Sequence, residues 1–494
     1  MLLRTITSAA LLATLLSLGV AAQDAGSIVA AASKAMGADS LNSITYSGTA
    51  RNGQFGQSKA IGEPMGAVNV TQITAYTRTI NFGQPASPTA LVSRATGPTQ
   101  PPAVPGVPAQ PAGVFNQNVT GAQAGANWAQ ALNVWTTPWG FLKGASGATA
   151  AVRQQGGQRV VSFSPANLKS PSGQTYTVTG YINNQNLVTK VETRVENTVV
   201  GDLLVEFEYS NYQNMNGVQV PTRIVQKQAG LATFDATITA ATPNPANLAE
   251  LLTPPAPPAG GPGGGGPPPQ AAAGPPPTER LGDGVFKIAG NYTSLAVDMG
   301  DHIVVIESGQ SDARGLAVMA AAKQAIPNKP IRFVVNSHPH FDHASGLAAA
   351  AAEGATILTH RNNAQVMQRF LSGPRGLTGD SLSKAQGRRS KVDGVSDRRV
   401  LRGTNGKVIE LHRIPNEHSD GMLAVYLPAE KVLWTADITI VNSNPAQLGI
   451  VRSTVEALNK LNLDFNAFIP AHPPNPDRPL TKADLMTAGT PASN

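Results

Sequence analysis

Residues 332–346 read RFVVNSHPHFDHASG, and this stretch decides how the chain is read. Three of the eight histidines, His338, His340 and His343, fall within six residues, with Asp342 beside the last of them. The run RFVVN is apolar and β-branched, which predicts a strand. A helix is expected from about Ala344 to Glu353, stopped by Gly354. The imidazoles therefore leave the carboxyl end of a strand, where loops on a rigid sheet gather functional groups.

Other candidates occupy the same kind of position. His418 follows KVIELHRI (407–414), Asp437 follows KVLWTA (431–436), and His472 follows AFIP (467–470). Seven nitrogen and oxygen donors thus converge on one edge: His338, His340, Asp342, His343, His418, Asp437 and His472. In an extended loop His338 and His340 point to one side and can share an ion. Asp342 and His343 are adjacent and cannot both point that way, which calls for a second ion. Asp437 has two oxygens and can bridge a pair of cations about 3.5–4 Å apart. Imidazole and carboxylate donors suit Zn2+, two per chain, with iron or manganese as alternatives. His302, His360 and His412 stand alone and read as ordinary surface or core residues.

The strand GVFKIAG, the runs TSLAVDMG and HIVVIESG, and a helix over 311–325 capped by Ser311 precede the motif, and strands alternate with helices after it. That order predicts a layered α/β unit. Before it, residues 43–240 alternate with period 2. In LLVEFEYS, Leu203, Val205, Phe207 and Tyr209 share a face opposite Glu206 and Glu208, which predicts an antiparallel β-rich unit. A helix over 24–36 opens it, and a Pro/Gly/Ala/Gln-rich loop interrupts it near 96–126. Residues 254–277, PPAPPAGGPGGGGPPPQAAAGPPP, read as a linker. The chemistry is expected to lie wholly after residue 278.

Residues 1–22 carry Arg4, the apolar run Ile6–Leu18 and the small-residue site Val20-Ala21-Ala22, which read as a signal peptide. The expected organisation is signal 1–22, β-rich unit 23–253, linker 254–277 and catalytic unit 278–494. Export to the periplasm or the extracellular space follows. The chain has no cysteine, so disulfides and a Cys-linked lipid anchor are excluded and any metal must take His, Asp, Glu or water. No stable membrane anchor is expected. The formal net charge is +7, and residues 361–402 hold ten Lys/Arg against Asp380, Asp393 and Asp397. That segment reads either as a solvated lid or as a cationic border of the site mouth, so the small-molecule substrate is expected to tolerate or favour negative charge. Nucleic acid is not expected, and the oligomeric state is open.

Residues 279–476 resemble the metallo-β-lactamase superfamily: HxHxDH, then His418, Asp437 and His472 in its order and similar spacing. The whole is similar to exported, two-domain members. The resemblance implies an α+β protein with an αβ/βα four-layer sandwich after the β-rich unit. It places His338, His340 and His418 on one metal, Asp342, His343 and His472 on the other, with Asp437 bridging. Asp342 would also be catalytic, orienting a metal-bridging hydroxide and shuttling its proton. The implied activity is dinuclear zinc-dependent hydrolysis of a small ester, lactone, thioester or amide. A phosphodiesterase or nuclease-type member is the alternative, supported by the basic segment, and a ligand-binding β-rich unit with a secondary metal domain is another. Glu307 stands where the superfamily usually has aspartate, Ser345 and Ala471 replace customary glycines, and Ile438-Thr439-Ile440 stands where lactonase-like members place a tyrosine. An aspartate at Asp437 is unusual in true β-lactamases.

Overall fold

The computed structural model describes residues 25–488 except 67–69, 84–88, 97–113, 120–131, 167, 254–273, 386, 438–444, 475–476 and 479. The signal segment, most of the linker and Ile438–Ile440 lie outside the described residues.

Alternation in the first half produces one antiparallel sheet of eleven strands, running from Ser43–Asn52 to Leu231–Pro243. In the strand Gly201–Met215, Leu203, Val205, Phe207 and Tyr209 are buried while Glu206 and Glu208 are half-exposed, as period-2 geometry requires. The helix over 25–36 covers part of the buried face through Val29, Ala32 and Met36. A second helix, Pro138–Ser146, is capped by Thr137 and lays Trp139, Phe141 and Leu142 onto the same face. The interruption expected near 96–126 holds one further strand, Val114–Val119, paired antiparallel with Thr89–Thr96.

The second half forms two sheets. Seven strands run in chain order from Thr278–Gly282 to Lys391–Val395, and six from Arg398–Arg402 to Leu480–Thr481. Val297, Ile306 and Val335 of one sheet pack against Leu411, Val425 and Trp434 of the other. Trp434 is fully buried and its indole N–H donates to the Thr293 carbonyl. Truncating such a side chain costs about 3–5 kcal/mol. Helices Asp312–Ala325, Leu347–Glu353 and Arg361–Leu371 flank the first sheet. Pro445–Leu461 and Lys482–Ala488 flank the second, completing an αβ/βα sandwich. Ser311 caps its helix as expected, accepting from the Arg314 N–H.

Two local expectations need correction. The helix after the motif is broken into Phe341–Ala344 and Leu347–Glu353. Residues 361–402, expected as a solvated lid or a cationic border, include the helix Arg361–Leu371, the short helix Ser381–Lys384, the edge strand Lys391–Val395 and the strand Arg398–Arg402. The first helix has an apolar face, with Met367, Phe370 and Leu371 buried.

The two halves share a core. Phe55, from the loop after the first strand, stands edge-on to Phe341 with ring centroids 5.3 Å apart and also meets Phe370. Arg375 donates to the carbonyls of Thr198 and Val199, and Asp202 accepts from the amides of Gly376 and Leu377.

Candidate metal centre

The parallel strand Ile331–Val335 delivers the Asn336–His340 loop, and the short helix Phe341–Ala344 presents Asp342 and His343. Asn336 is buried and its side-chain N–H donates to the His343 carbonyl, pinning the two ends of the motif together. Asn416 does the same for the next ligand: its carbonyl accepts from the amides of His418 and Ser419, and its N–H donates to Ile414. Asp437 and His472 follow the paired parallel strands Val432–Thr435 and Ala467–Pro470.

The seven side chains meet in two groups. His338, His340 and His418 form one; Asp342, His343, Asp437 and His472 form the other, and within each the ligand atoms lie within 4.8 Å of one another. Asp437 joins the groups. Its Oδ2 is 3.0 Å from His338 Nε2, 3.1 Å from His343 Nε2 and 3.3 Å from His418 Nε2, while Oδ1 is 2.9 Å from His472 Nε2. Asp437 adopts φ +52, a conformation rare for a residue with a side chain and common at functional sites.

The donor set fits divalent cations. Asp437 Oδ2 is buried and has no hydrogen-bond donor among the described residues, although three imidazole nitrogens surround it. His338 Nε2 faces His418 Nε2 at 3.3 Å, and His343 Nε2 faces His472 Nε2 at 3.2 Å. Imidazole nitrogens and an anionic oxygen turned on a common centre are the arrangement a cation resolves.

The outer nitrogens are held from behind. His343 Nδ1 lies 3.3 Å from Glu307 Oε2, and His338 Nδ1 lies 3.1 Å from Ser337 Oγ, which itself donates to Glu307 at 2.6 Å. Glu307 is fully buried, at φ +66. His340 Nε2 donates to the Ser58 carbonyl at 3.0 Å, which leaves Nδ1 free to face the site. Asp342 accepts from Gln57 Nε2 at 2.8 Å on Oδ1 and from the Tyr292 hydroxyl at 3.0 Å on Oδ2.

Electrostatics follow burial and crowding. Burial, with His418 beside it, pushes His340 down to about 4. Burial and the His343 charge hold His338 well below the usual imidazole range. Burial alone would lower His343, but the carboxylates of Asp437, Asp342 and Glu307 raise it well above. Burial would raise Asp437 and Asp342, yet the imidazoles around the first, and His343 with the Gln57 amide on the second, keep both ionised. Tyr292 is pushed up by burial and the nearby Asp342 charge, so it stays a protonated donor.

All seven candidate ligands are thus brought together. The remaining histidines lie outside both groups: His302 meets Asp301, His412 meets Glu410, and His360 caps the helix Arg361–Leu371. The expectation that chemistry lies wholly after residue 278 is corrected, because Gln57 and Ser58 of the first half reach the centre. Tyr292 was also missed. Its signal is a polar aromatic in GNYTS, directly after a strand on the ligand-bearing sheet.

Residues 289–472 match the Metallo-beta-lactamase superfamily model. Over this segment the chain carries the signature of that superfamily, whose members are commonly hydrolytic metalloenzymes and whose fold typically binds metal ions. Among solved structures the chain is similar to a metallo-beta-lactamase from Pontibacter korlensis, at 16% identity over 43% of this chain and 96% of that one, TM-score 0.34. It is also similar to one from Hirschia baltica, at 20% identity over 44% and 96%, TM-score 0.33. Among curated proteins it is 23% identical over 198 residues to the 2,4-dinitroanisole O-demethylase subunit alpha of Nocardioides sp. (strain JS1661). That match covers 38% of this chain and 53% of the relative, so the chain spans about half the relative's length.

Proposed function

We propose that the chain is an exported hydrolase that uses two divalent cations, zinc first among them, to cleave a small ester, lactone, thioester or amide. The observation that carries this reading is Asp437, whose two oxygens face the imidazoles of both ligand groups. His338, His340 and His418 would hold one ion and Asp342, His343 and His472 the other, with Asp437 between them. Cations bound there would polarise a scissile carbonyl and acidify a water near neutral pH. Asp342 stays ionised beside His343 and is held by Gln57 and Tyr292, so it acts as a fixed acceptor that aims the attacking water. Export rests on residues 1–22 alone. Among the described residues no helix is long and apolar enough to cross a membrane.

Of the basic segment that supports the phosphodiesterase or nuclease reading, Arg388 and Lys391 lie at the strand end opposite the ligands, whereas Arg361 follows the ligand-side end of the strand Thr356–His360. The deciding experiment is a substrate panel on the full mature protein, stripped of metal and then reloaded with zinc. It should include esters, lactones, thioesters, amides, phosphodiesters and, given the curated relative, an aryl methyl ether. Turnover of a carbonyl substrate that disappears with the metal and returns with it is expected. Equal turnover without metal, or turnover of phosphodiesters alone, would displace this reading.

A further inference from the structure

We propose that the loop 53–59 of the β-rich half is a working part of the metal centre, so that metal binding and the docking of the two halves strengthen one another. The inference rests on the reading of the site as a metal centre and adds a role for the first half, for which the sequence offers no ligand.

The loop is bonded to both ligand-bearing segments. Gly56 accepts from the Phe341 amide at 2.9 Å, and Ser58 accepts from His340 Nε2 at 3.0 Å. Gln57 Nε2 donates to Asp342 Oδ1 at 2.8 Å. Lys59 accepts from the Asp420 amide and pairs through its ammonium with Glu417 at 3.0 Å, either side of His418. A carbonyl can only accept, so the Ser58 bond requires the proton on His340 Nε2 and turns Nδ1 toward the cation. The first half therefore sets the tautomer of one ligand and the orientation of another, one in each group. Such outer partners are worth about 10–100-fold in metal affinity.

Gly56 allows the approach. It adopts φ +79, and a Cβ there would lie 2.5 Å from the Phe341 ring. A side chain at this position must lift the loop away, with no ligand altered.

Coupling is reciprocal: if a docked loop tightens the metal, the metal tightens the loop. Three measurements on the full chain test this. Zinc affinity is read by competition with a chromophoric chelator, cobalt spectra report ligand geometry, and hydrogen exchange reports protection of residues 53–66 with and without zinc. Gln57 is exposed, so Gln57→Ala should fold like the parent and weaken one of the two ions about tenfold. Gly56→Val should weaken both ions and shift the cobalt spectrum. In the parent, zinc should slow exchange in the loop. If Gly56→Val does not fold, Gln57→Ala and the parent exchange decide. Unchanged affinity in Gln57→Ala, together with loop exchange indifferent to zinc, overturns the proposal. A parent that binds two ions with these effects but hydrolyses nothing in the panel keeps it and removes the hydrolase reading. A parent that takes up no metal overturns both.

Discussion

Glu307 Oε2 lies 3.3 Å behind His343 Nδ1, and both side chains are fully buried. The same oxygen accepts from Ser337 Oγ, and Glu307 Oε1 accepts from the Ser308 amide. One carboxylate thus fixes the imidazole of one ligand group and the loop that precedes the other. The superfamily resemblance expects an aspartate here. Glutamate fills the place at φ +66, with its carboxylate against Ser337 and His343. Glu307→Gln keeps the shape and removes the charge that favours the Nδ1–H tautomer of His343. Metal affinity should fall about 10–100-fold, with the His343 group affected first. Glu307→Ala should lose more, because Ser337 Oγ and the Ser308 amide are left without their acceptor. Chelator competition on both variants checks this, and wild-type affinity in Glu307→Gln would remove the orienting role.

Asp437→Asn tests the bridge. Asn retains the volume but loses the charge and one anionic oxygen, and it places an N–H among imidazole nitrogens that need a cation. The fold should survive, because Asp437 lies beyond the strand Val432–Thr435. Metal content should fall from two ions toward one, and turnover by at least about 100-fold. Two ions per chain and normal turnover in this variant would end the bridging assignment.

The basic segment gives a prediction opposite to the one its charge suggests. Lys391 pairs in register with Thr356, the first residue of its strand, and the Arg388 guanidinium lies against Gly354 just before it. The ligands follow the other end of the parallel strands. Five residues at about 3.3 Å each separate the two ends by about 15 Å, more than the screening length of about 8–10 Å in physiological salt. Neutralising Arg388, Arg389 and Lys391 together should leave the Michaelis constants of anionic and neutral substrates within about twofold. A selective rise for anionic substrates would place these three cations at the site mouth against the strand register.

What could be read from the sequence was what is local. HxHxDH between a β-branched strand and a helix, and three further donors each just past a strand, located the candidate metal centre because strand ends bring neighbouring loops together. Period 2 at Leu203–Tyr209 gave the first sheet for the same reason. The helix Arg361–Leu371 was hidden by its charge: Arg361 and Arg369 drew the reading to the surface, while Met367, Phe370 and Leu371 at helical spacing carry the packing. Gln57 and Ser58 were out of reach. Their partners lie 285 and 282 residues away, and neither residue type announces a metal site. The docking of Phe55 against Phe341 and Phe370, with the bonds of Gly56 and Lys59, makes that contact, and pairing of this kind leaves no periodicity.

That docking also has a buried ionic clamp. Arg375 donates through Nε to Asp380 at 2.7 Å, through Nη1 to Val199 and through Nη2 to Thr198. Both charged side chains are 5% exposed, so this is a buried pair rather than a surface one. Asp380 is engaged further, capping the short helix Ser381–Lys384 through the Ser383 amide. Arg375→Ala would strand a buried carboxylate and leave two carbonyls of the first half without donors. Breaking one side of such a pair costs about 3–5 kcal/mol. Arg375→Lys should recover only part of that loss, since one ammonium cannot reproduce the planar fork that spans Asp380 and two carbonyls. Because the clamp holds the two halves together, its loss should also separate their unfolding into two steps. Denaturant titration followed by tryptophan fluorescence reads both effects, with Trp135 and Trp139 in the first half and Trp434 in the second. A loss below about 1 kcal/mol in Arg375→Ala, with a single unfolding step retained, would mean that apolar packing around Phe55 joins the halves and the clamp adds little.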